Sequence, residues 1–511
     1  MAISHEIKEV EAESRTAPRE IAEMNNVSAD QQDAAHRMLR GAPGNIQSPL
    51  SPKGTANLLL PLEAMEEEIE ASEEEMRSVH PEPESGPLDS APGALSKIIP
   101  PGGLLSTVFN LVSICVGAGI LGLPAAANSS GLLMALFYPM VIVVLSVYSL
   151  YCLAVQMERF SLKTYEGMSR TLLGPGFDHF TAAMRLLNTF GSSVASIIGV
   201  GDLFSAILDN TDAPDYWKST SGNRLLTTLL FLAVMLPLVI PRHINSLRYV
   251  STLGVGFIVY FVVTIIVHSC MNGLPDNASN IHVAGTPKDD GIHLFGTGNK
   301  ALDGLGVFLF AFLCQVNSFE VYWDMAERSA SRFTLYCAIA MAVCFFLNLL
   351  TAIFGYLDFG SRVTGSVLLM YDPVKEPAVM VAYVGVLVKL CASFPLLMMA
   401  SRNAVYHTVG WDPDTLPFWK HCIAAVFLAF AALICGLFIP NINTVFGFLG
   451  AFCGGTMAFM FPAILMMYAG SWSLRSVGWM HYILTYALLF AGIIMVVFGT
   501  GATIYGVAVG S

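Results

Sequence analysis

The sequence predicts an all-α polytopic membrane protein with eleven transmembrane helices, and three observations carry that expectation. Of 511 residues, 54% are hydrophobic and 13% charged, about half the charged fraction of a soluble domain. Mean hydropathy is +0.61. The apolar residues also gather into eleven segments, each close to the ~20 residues that cross a bilayer. They run 104–127, 131–157, 182–208, 224–240, 248–271, 301–323, 333–356, 379–402, 418–438, 443–468 and 481–506.

The net charge of −12 is a property of the N-terminus. Residues 1–100 hold 8 Lys/Arg and 19 Asp/Glu, while the remaining 411 hold 18 and 19. Such a balance offers no basic surface for nucleic acid. Residues 1–101, rich in Glu, Ser, Pro and Ala, are expected to form a disordered acidic cytoplasmic tail, with a transient helix at 60–78. Ser48 and Ser51, each followed by Pro, are phosphorylation candidates within it; a plain solvated tail is the alternative. No cleaved signal peptide is apparent, so the first span acts as the insertion signal. Residues 102–511 form the transmembrane domain.

If the tail is cytoplasmic, inner loops carry eleven Lys/Arg and outer loops six, which obeys the positive-inside rule. The C-terminus is then extracellular, and so is the loop 272–300. Asn277-Ala278-Ser279 in that loop is an acceptor pattern for N-glycosylation. The ten cysteines lie in or at the ends of apolar segments without zinc-site or disulfide spacing, and read as packing residues.

The first span, LLSTVFNLVSICVGAGILGLPAAA, does not suit a continuous helix. Gly117, Gly119 and Gly122 fall within six positions and Pro124 follows. Interior glycine costs about 1 kcal/mol relative to alanine, and proline removes a donor and clashes with the preceding turn. Backbone freed in hydrocarbon must find protein, water or a ligand. Close helix packing through small residues is the alternative. The sixth span repeats the pattern: its apolar half runs into Cys314-Gln315-Val316-Asn317-Ser318, then Glu320, Trp323 and Asp324. Spans one and six correspond in two five-helix repeats (1–5 and 6–10), and paired broken helices point to a transporter site.

The residues Phe109-Asn110 with Gly117-Ala118-Gly119-Ile120-Leu121-Gly122-Leu123-Pro124 resemble the first-helix motif of the amino acid/auxin permease family, in the APC superfamily. Gly201-Asp202, Tyr322-Trp323-Asp324-Met325 and Phe354 to Gly360 match it further. Residues 240–263, 304–317 and 433–455 resemble, more narrowly, the kinetoplastid amino acid permeases. The similarity spans 104 to about 506 and implies the LeuT-like fold, a 5+5 inverted repeat plus one helix.

The resemblance also implies a site. Backbone groups of Val116, Gly117, Ala118, Gly119 and Ile120 would take a substrate α-carboxylate at the positive end of a half-helix. Cys314, Gln315, Asn317 and Ser318 would take the α-ammonium and part of the side chain. Ser192 and Ser196, four apart on one helical face, would line the side-chain pocket or serve packing. Sodium-coupled relatives place an Asn where Ser113 stands and a hydroxyl where Ser393 stands. Lys389, one turn before Ser393, would put an ammonium in the space of a sodium ion, as in some proton-coupled carriers; outward snorkelling or a permanent carboxylate partner is the alternative. Glu320 would attract a cationic substrate side chain, or pair with Lys389 or Arg402, or line the inner vestibule. Asp202 reads as a solvated residue near the outer surface, and Asp324 as part of the inner gate.

The expected function is therefore secondary active amino acid transport by alternating access, proton-linked and sodium-independent, in the plasma membrane. Spans 1, 2, 6 and 7 would form the moving bundle, and 3, 4, 8 and 9 the scaffold. Its partners are the amino acid, protons and lipid. A sensor built on the same fold, signalling through the tail, is the runner-up. The absence of GxxxxGK[ST] disfavours a nucleotide-driven pump. His268, His407, His421 and His481 at span ends, without ligand spacing, suggest neither an enzyme nor a cofactor.

Overall fold

A computed structural model describes residues 102–509 except 242–246, 278–279, 287–288, 290, 299, 412–415, 440 and 471. The acidic tail, its transient helix and Ser48 and Ser51 lie outside the described residues, as do two of the three positions of the glycosylation pattern. Asn277 is described, and its Nδ2 donates to the carbonyls of Leu357 and Asp358, 3.0 Å each.

The chain is all-α in its membrane part. Among the described residues ten helices are long and apolar enough to cross a bilayer, and one further bent pair brings the number to eleven. That pair is the first span. Helix α1 (Leu104–Cys115) stops, a 3₁₀ turn covers Ala118–Gly122, and α2 (Leu123–Ser130) resumes with Pro124 in its first turn. A proline there loses no helical bond, because the first amides of a helix have no acceptor within it. The two parts are bent by 46°. Gly131 then reverses the chain at φ +90, where an added Cβ would meet Phe295 Cα at 2.7 Å.

Span two is α3 (Leu132–Phe160), followed by the short α4 (Tyr165–Leu173), capped by Thr164 Oγ1 accepting from Gly167 N–H at 3.1 Å. Span three is α5 (Phe177–Asp209), and span four starts with α6 (Thr220–Leu230). Span five contains α7 (Leu247–His268). The connection to span six holds two short parallel strands, β1 (Ile281–Gly285) and β2 (Ile292–Gly296), with His282 opposite His293. The sequence predicts only a loop over 272–300, and the strands are a finding of the structure. Its pairing is held from outside, since Tyr356 Oη accepts from His293 N–H at 2.9 Å.

Span six breaks like span one. Helix α8 (Lys300–Phe310) ends, Gln315–Asn317 form a 3₁₀ turn, and α9 (Ser318–Trp323) completes the crossing. Spans seven, eight and nine are α10 (Ala330–Phe359), α11 (Pro377–Val409) and α12 (Phe418–Phe438). Span ten begins as α13 (Ile442–Phe448) and span eleven as α14 (Trp479–Ile494).

Three of the four π-helical stretches among the described residues, Phe231–Met235, Ser269–Gly273 and Leu449–Met460, each end two residues before a proline (Pro237, Pro275, Pro462), while the fourth, Met495–Gly499, does not. Proline has no N–H to bond four residues back and its ring crowds that carbonyl. The wider turn accommodates both. The long π stretch of span ten also lets backbones touch, as small residues do in membranes. A Cβ on Gly306 would stand 3.0 Å from Gly447 Cα, and one on Gly450 would stand 2.8 Å from Phe310 N.

Candidate functional site

The two breaks face each other. A Cβ added to Gly119 would lie 3.1 Å from Phe310 Cδ1 and 3.4 Å from Ala311 Cα, so the small residue of span one fits the end of α8. Phe310 stacks on Phe446, ring centroids 4.7 Å apart. At Gly122 a Cβ would collide with Asn443 Oδ1 and come within 3.0 Å of Phe446. Glycine in this motif is thus required by close approach at positions 119 and 122. Gly117 is different, because the nearest atom to its Cβ position is Ile114 O at 3.9 Å.

Val116, Gly119 and Ile120 are buried, and Gly117 and Ala118 half-buried. Val116 N–H donates to Val112 O at 2.8 Å and Gly117 N–H to Cys115 O at 3.0 Å, which closes α1. A new helical segment starts at Ala118. The first amides of such a segment have no acceptor inside it and carry the positive end of its dipole.

In span six, Ala311, Phe312 and Leu313 turn back on Val307, Leu309 and Phe310 carbonyls at 3.2, 3.1 and 3.2 Å. Gln315 is fully buried. Its Oε1 accepts from Cys314 N–H at 3.1 Å. That donor fixes the orientation of the amide, since only oxygen can accept there. Gln315 Nε2 is left buried with no hydrogen-bond partner among the described residues. Such a group costs about 1–3 kcal/mol until something accepts from it. The sequence places Gln315 with the groups for a substrate ammonium, and the atom of its side chain left without a partner among the described residues is a donor. Ser318 Oγ is committed to Gln315 O at 2.7 Å. Asn317 N–H donates to Cys314 O at 3.1 Å, and its half-buried side chain caps no amide of α9.

Asn348 of α10 was missed by sequence reasoning. It is buried, its Nδ2 donates to Ala311 O at 3.2 Å, and its Oδ1 has no partner among the described residues. A lone asparagine inside an apolar span was the available signal. The first amides of the Ala118 segment and Gln315 Nε2 are thus donors, and Asn348 Oδ1, on a side chain bonded to Ala311 O at the second break, is an acceptor. Cys115, Cys314 and Cys344 are buried close to one another. Three thiols read as scattered packing residues thus gather where spans one, six and seven meet.

Ser192 Oγ donates to Asn188 O at 2.7 Å and Ser196 Oγ to Ser192 O at 3.0 Å. Their protons are therefore spent on their own helix, whether these serines line a pocket or serve packing. They still lie on the stripe that includes Gly199, whose Cβ position is 3.5 Å from Leu121 and 3.1 Å from Leu390, so this face of α5 looks toward spans one and eight.

Lys389 is 1% exposed. Its Nζ donates to Ser113 Oγ at 2.8 Å and to Ser113 O at 3.1 Å. The aliphatic stem runs along Gly254, where an added Cβ would stand 2.6 Å from Lys389 Cδ. Inward reach, not snorkelling, is what the side chain does. Ser393, half-buried, follows one turn later on the same helix.

Glu320 pairs with neither Lys389 nor Arg402. It is bonded to Arg185 of α5, which also reaches Glu166 of α4 at 3.4 Å. The buried guanidinium takes the place of the two cations named from sequence because α9 and α4 both begin beside it, with Glu320 and Glu166 in their first turns. Arg402 instead meets His421 Nε2 at 3.1 Å. Asp202 does not end its helix, which continues to Asp209; it is half-buried beside Ser366 rather than solvated. Asp324 follows α9 directly, and there Ala326 N–H donates to Gly102 O at 3.1 Å, tying the end of span six to the start of span one. At the same end Asp178, His179 and His407 converge, with ligand-type atoms within 4.8 Å of one another. Arg170 stands 3.5 Å from Asp178 Oδ2.

Residues 100–505 match the family model described as transmembrane amino acid transporter protein. The chain is 25% identical over 383 residues to human solute carrier family 38 member 8, covering 71% of this chain and 85% of that one. It is 27% identical over 409 residues to the Xenopus laevis sodium-coupled neutral amino acid transporter 7, covering 77% and 86%.

Proposed function

We propose that this chain, which belongs to the transmembrane amino acid transporter protein family, is a multi-pass carrier that moves amino acids by alternating access between spans one and six of a LeuT-like 5+5 helix arrangement. The observation that carries the reading is the unpartnered pair of complementary groups at the facing breaks. Gln315 Nε2 and the amides from Ala118 suit a carboxylate, and Asn348 Oδ1 suits an ammonium. A zwitterion satisfies groups that protein leaves unsatisfied, which is how a bound substrate repays its own desolvation.

Coupling is to protons rather than sodium. This rests on Lys389, whose ammonium already engages the hydroxyl and carbonyl of Ser113, oxygen ligands of the kind a monovalent cation would use. Buried lysine is suited to proton-linked cycling. The second reading is sodium coupling, which the name of the Xenopus relative favours. A preference for cationic side chains loses its basis once Glu320 is held by Arg185, and the name of the Xenopus relative favours a neutral amino acid. The Arg185–Glu320 bond joins scaffold to bundle and serves as a gate contact near Asp324.

The membrane is the plasma membrane, with the tail at residues 1–101 cytoplasmic and the C-terminus outside. The test is counterflow of a panel of labelled amino acids into proteoliposomes of the purified chain. Saturable exchange supports a carrier. Binding without exchange supports the sensor reading instead.

A further inference from the structure

At the end of the bundle that carries the 272–300 connection, three segments bring titratable groups into one cluster away from the substrate site. His268 closes α7, Asp358 lies in the last turn of α10, and Glu376 immediately precedes α11. His268 Nδ1 is 2.7 Å from Asp358 Oδ2, and Nε2 is 3.2 Å from Glu376 Oε1. The Tyr371 hydroxyl donates to the same Asp358 oxygen at 3.0 Å. The ring is fixed in place, stacked on Phe359 at 6.0 Å and met edge-on by Tyr371 at 4.9 Å. The Asp358 side chain is 1% exposed and that of Glu376 39%.

Ionised carboxylates only accept hydrogen bonds, and a neutral imidazole offers one N–H and one acceptor. Here both ring nitrogens face carboxylate oxygens. Satisfying both contacts takes one proton beyond a neutral ring between two carboxylates, carried by the ring or by one of the acids. We propose that His268, Asp358 and Glu376 form a proton-binding site that, when occupied, clasps the ends of spans five and seven to the start of span eight. Without that proton, one nitrogen meets an oxygen lone pair to lone pair, and two negative charges share one site, that of Asp358 buried.

The other charged groups nearby do not take over the proton's part. Lys375 is bound to Asp372 at 2.8 Å, and that hydrogen bond holds the Asp372 carboxyl below its usual range. Arg362 donates to Phe359 O at 3.3 Å. Asn277, which holds the Asp358 carbonyl, is neutral. The sign of the effect follows. The clasped arrangement binds one proton more than the separated groups, so it is favoured as pH falls and released as pH rises.

The site itself rests on its geometry alone. Its role as a gate rests on the reading above, in which span seven moves with the bundle while span eight belongs to the scaffold. In the orientation proposed, the site faces the outside.

The test uses the full chain. Thermal unfolding midpoints in detergent and counterflow rates in proteoliposomes are measured from pH 5 to pH 8, with pH equal on both sides. The expected result is a step in both quantities for the unaltered chain, with the midpoint higher on the acid side. His268→Gln, which keeps one N–H but cannot titrate, should flatten both steps. Glu376→Gln, at the surface and tolerant of folding, should move them to lower pH and serves if His268→Gln does not fold. A pH profile unchanged in the variants overturns the proposal. If the step vanishes in His268→Gln while a pH gradient fails to drive uptake, the site stands and the proton-coupling reading falls.

Discussion

Lys389 Nζ lies 2.8 Å from Ser113 Oγ and 3.1 Å from Ser113 O, joining the middle of span eight to the last turn before the break in span one. An ammonium at this junction ties the half-helix proposed to move to a helix assigned to the scaffold. Its protonation is therefore in a position to bias one access state over another. Lys389→Gln should abolish accumulation driven by a pH gradient while leaving exchange measurable by counterflow. Ser113→Ala, which keeps the carbonyl, removes one charged hydrogen bond of about 1.5–3 kcal/mol and should weaken accumulation roughly tenfold or more.

Gly254 provides the channel for the lysine stem. Gly254→Ala puts a methyl 2.6 Å from Lys389 Cδ, and overpacking of this kind costs about 1–3 kcal/mol. The expected phenotype is that of the lysine variant in milder form, read in the same two flux assays. A variant with unaltered driven uptake would show that the stem has another route.

The glycines of the first break should separate cleanly. Gly122→Ala forces a methyl into Asn443 and Phe446, and substrate affinity should fall at least tenfold. Gly117→Ala meets nothing closer than 3.9 Å and should keep affinity within about threefold of the parent. Equilibrium binding of the preferred labelled amino acid measures both.

Gln315→Glu preserves the acceptor for Cys314 N–H and replaces the unpartnered donor with a second oxygen. A substrate carboxylate then meets repulsion in place of a hydrogen bond worth about 1–3 kcal/mol, so affinity should drop by about tenfold or more. The loss should be larger at pH 8 than at pH 5, where a protonated Glu can again donate. Equal loss at both pH values would place the substrate elsewhere.

Because Glu320 is held by Arg185, Glu320→Gln should leave the ratio of cationic to neutral substrates unchanged. It frees Arg185 from one of its two carboxylates and should alter the inward/outward balance instead. Competition uptake reads the first effect, and labelling of single cysteines at the inner end of α9 reads the second.

Much of this was legible from residues alone. Gly117, Gly119, Gly122 and Pro124 mark the first break because clustered glycine and proline interrupt a helix, and Gln315 to Ser318 mark the second by their polarity. The extents of spans two to eleven followed from apolar length. Which side chains meet was not legible. Arg185 finds Glu320 and Glu166 from three separate segments, and His268 finds Asp358 and Glu376 across about a hundred residues. Asn348 looked like one polar residue in an apolar run. The direction of each bond also needed coordinates: Ser192, Ser196 and Ser318 spend their hydroxyl protons on nearby backbone carbonyls, which spacing cannot tell apart from pocket lining. The narrower likeness to kinetoplastid permeases rests on the quoted stretches only.

The most direct measurement of the central claim is accumulation of the preferred amino acid by proteoliposomes of the purified chain under two imposed gradients. One is a pH gradient, acid outside, in sodium-free buffer. The other is an inward sodium gradient at equal pH. Accumulation above equilibrium with the first and none with the second is the result expected from a lysine seated against Ser113. Accumulation driven by sodium, with no response to the pH gradient, would contradict it.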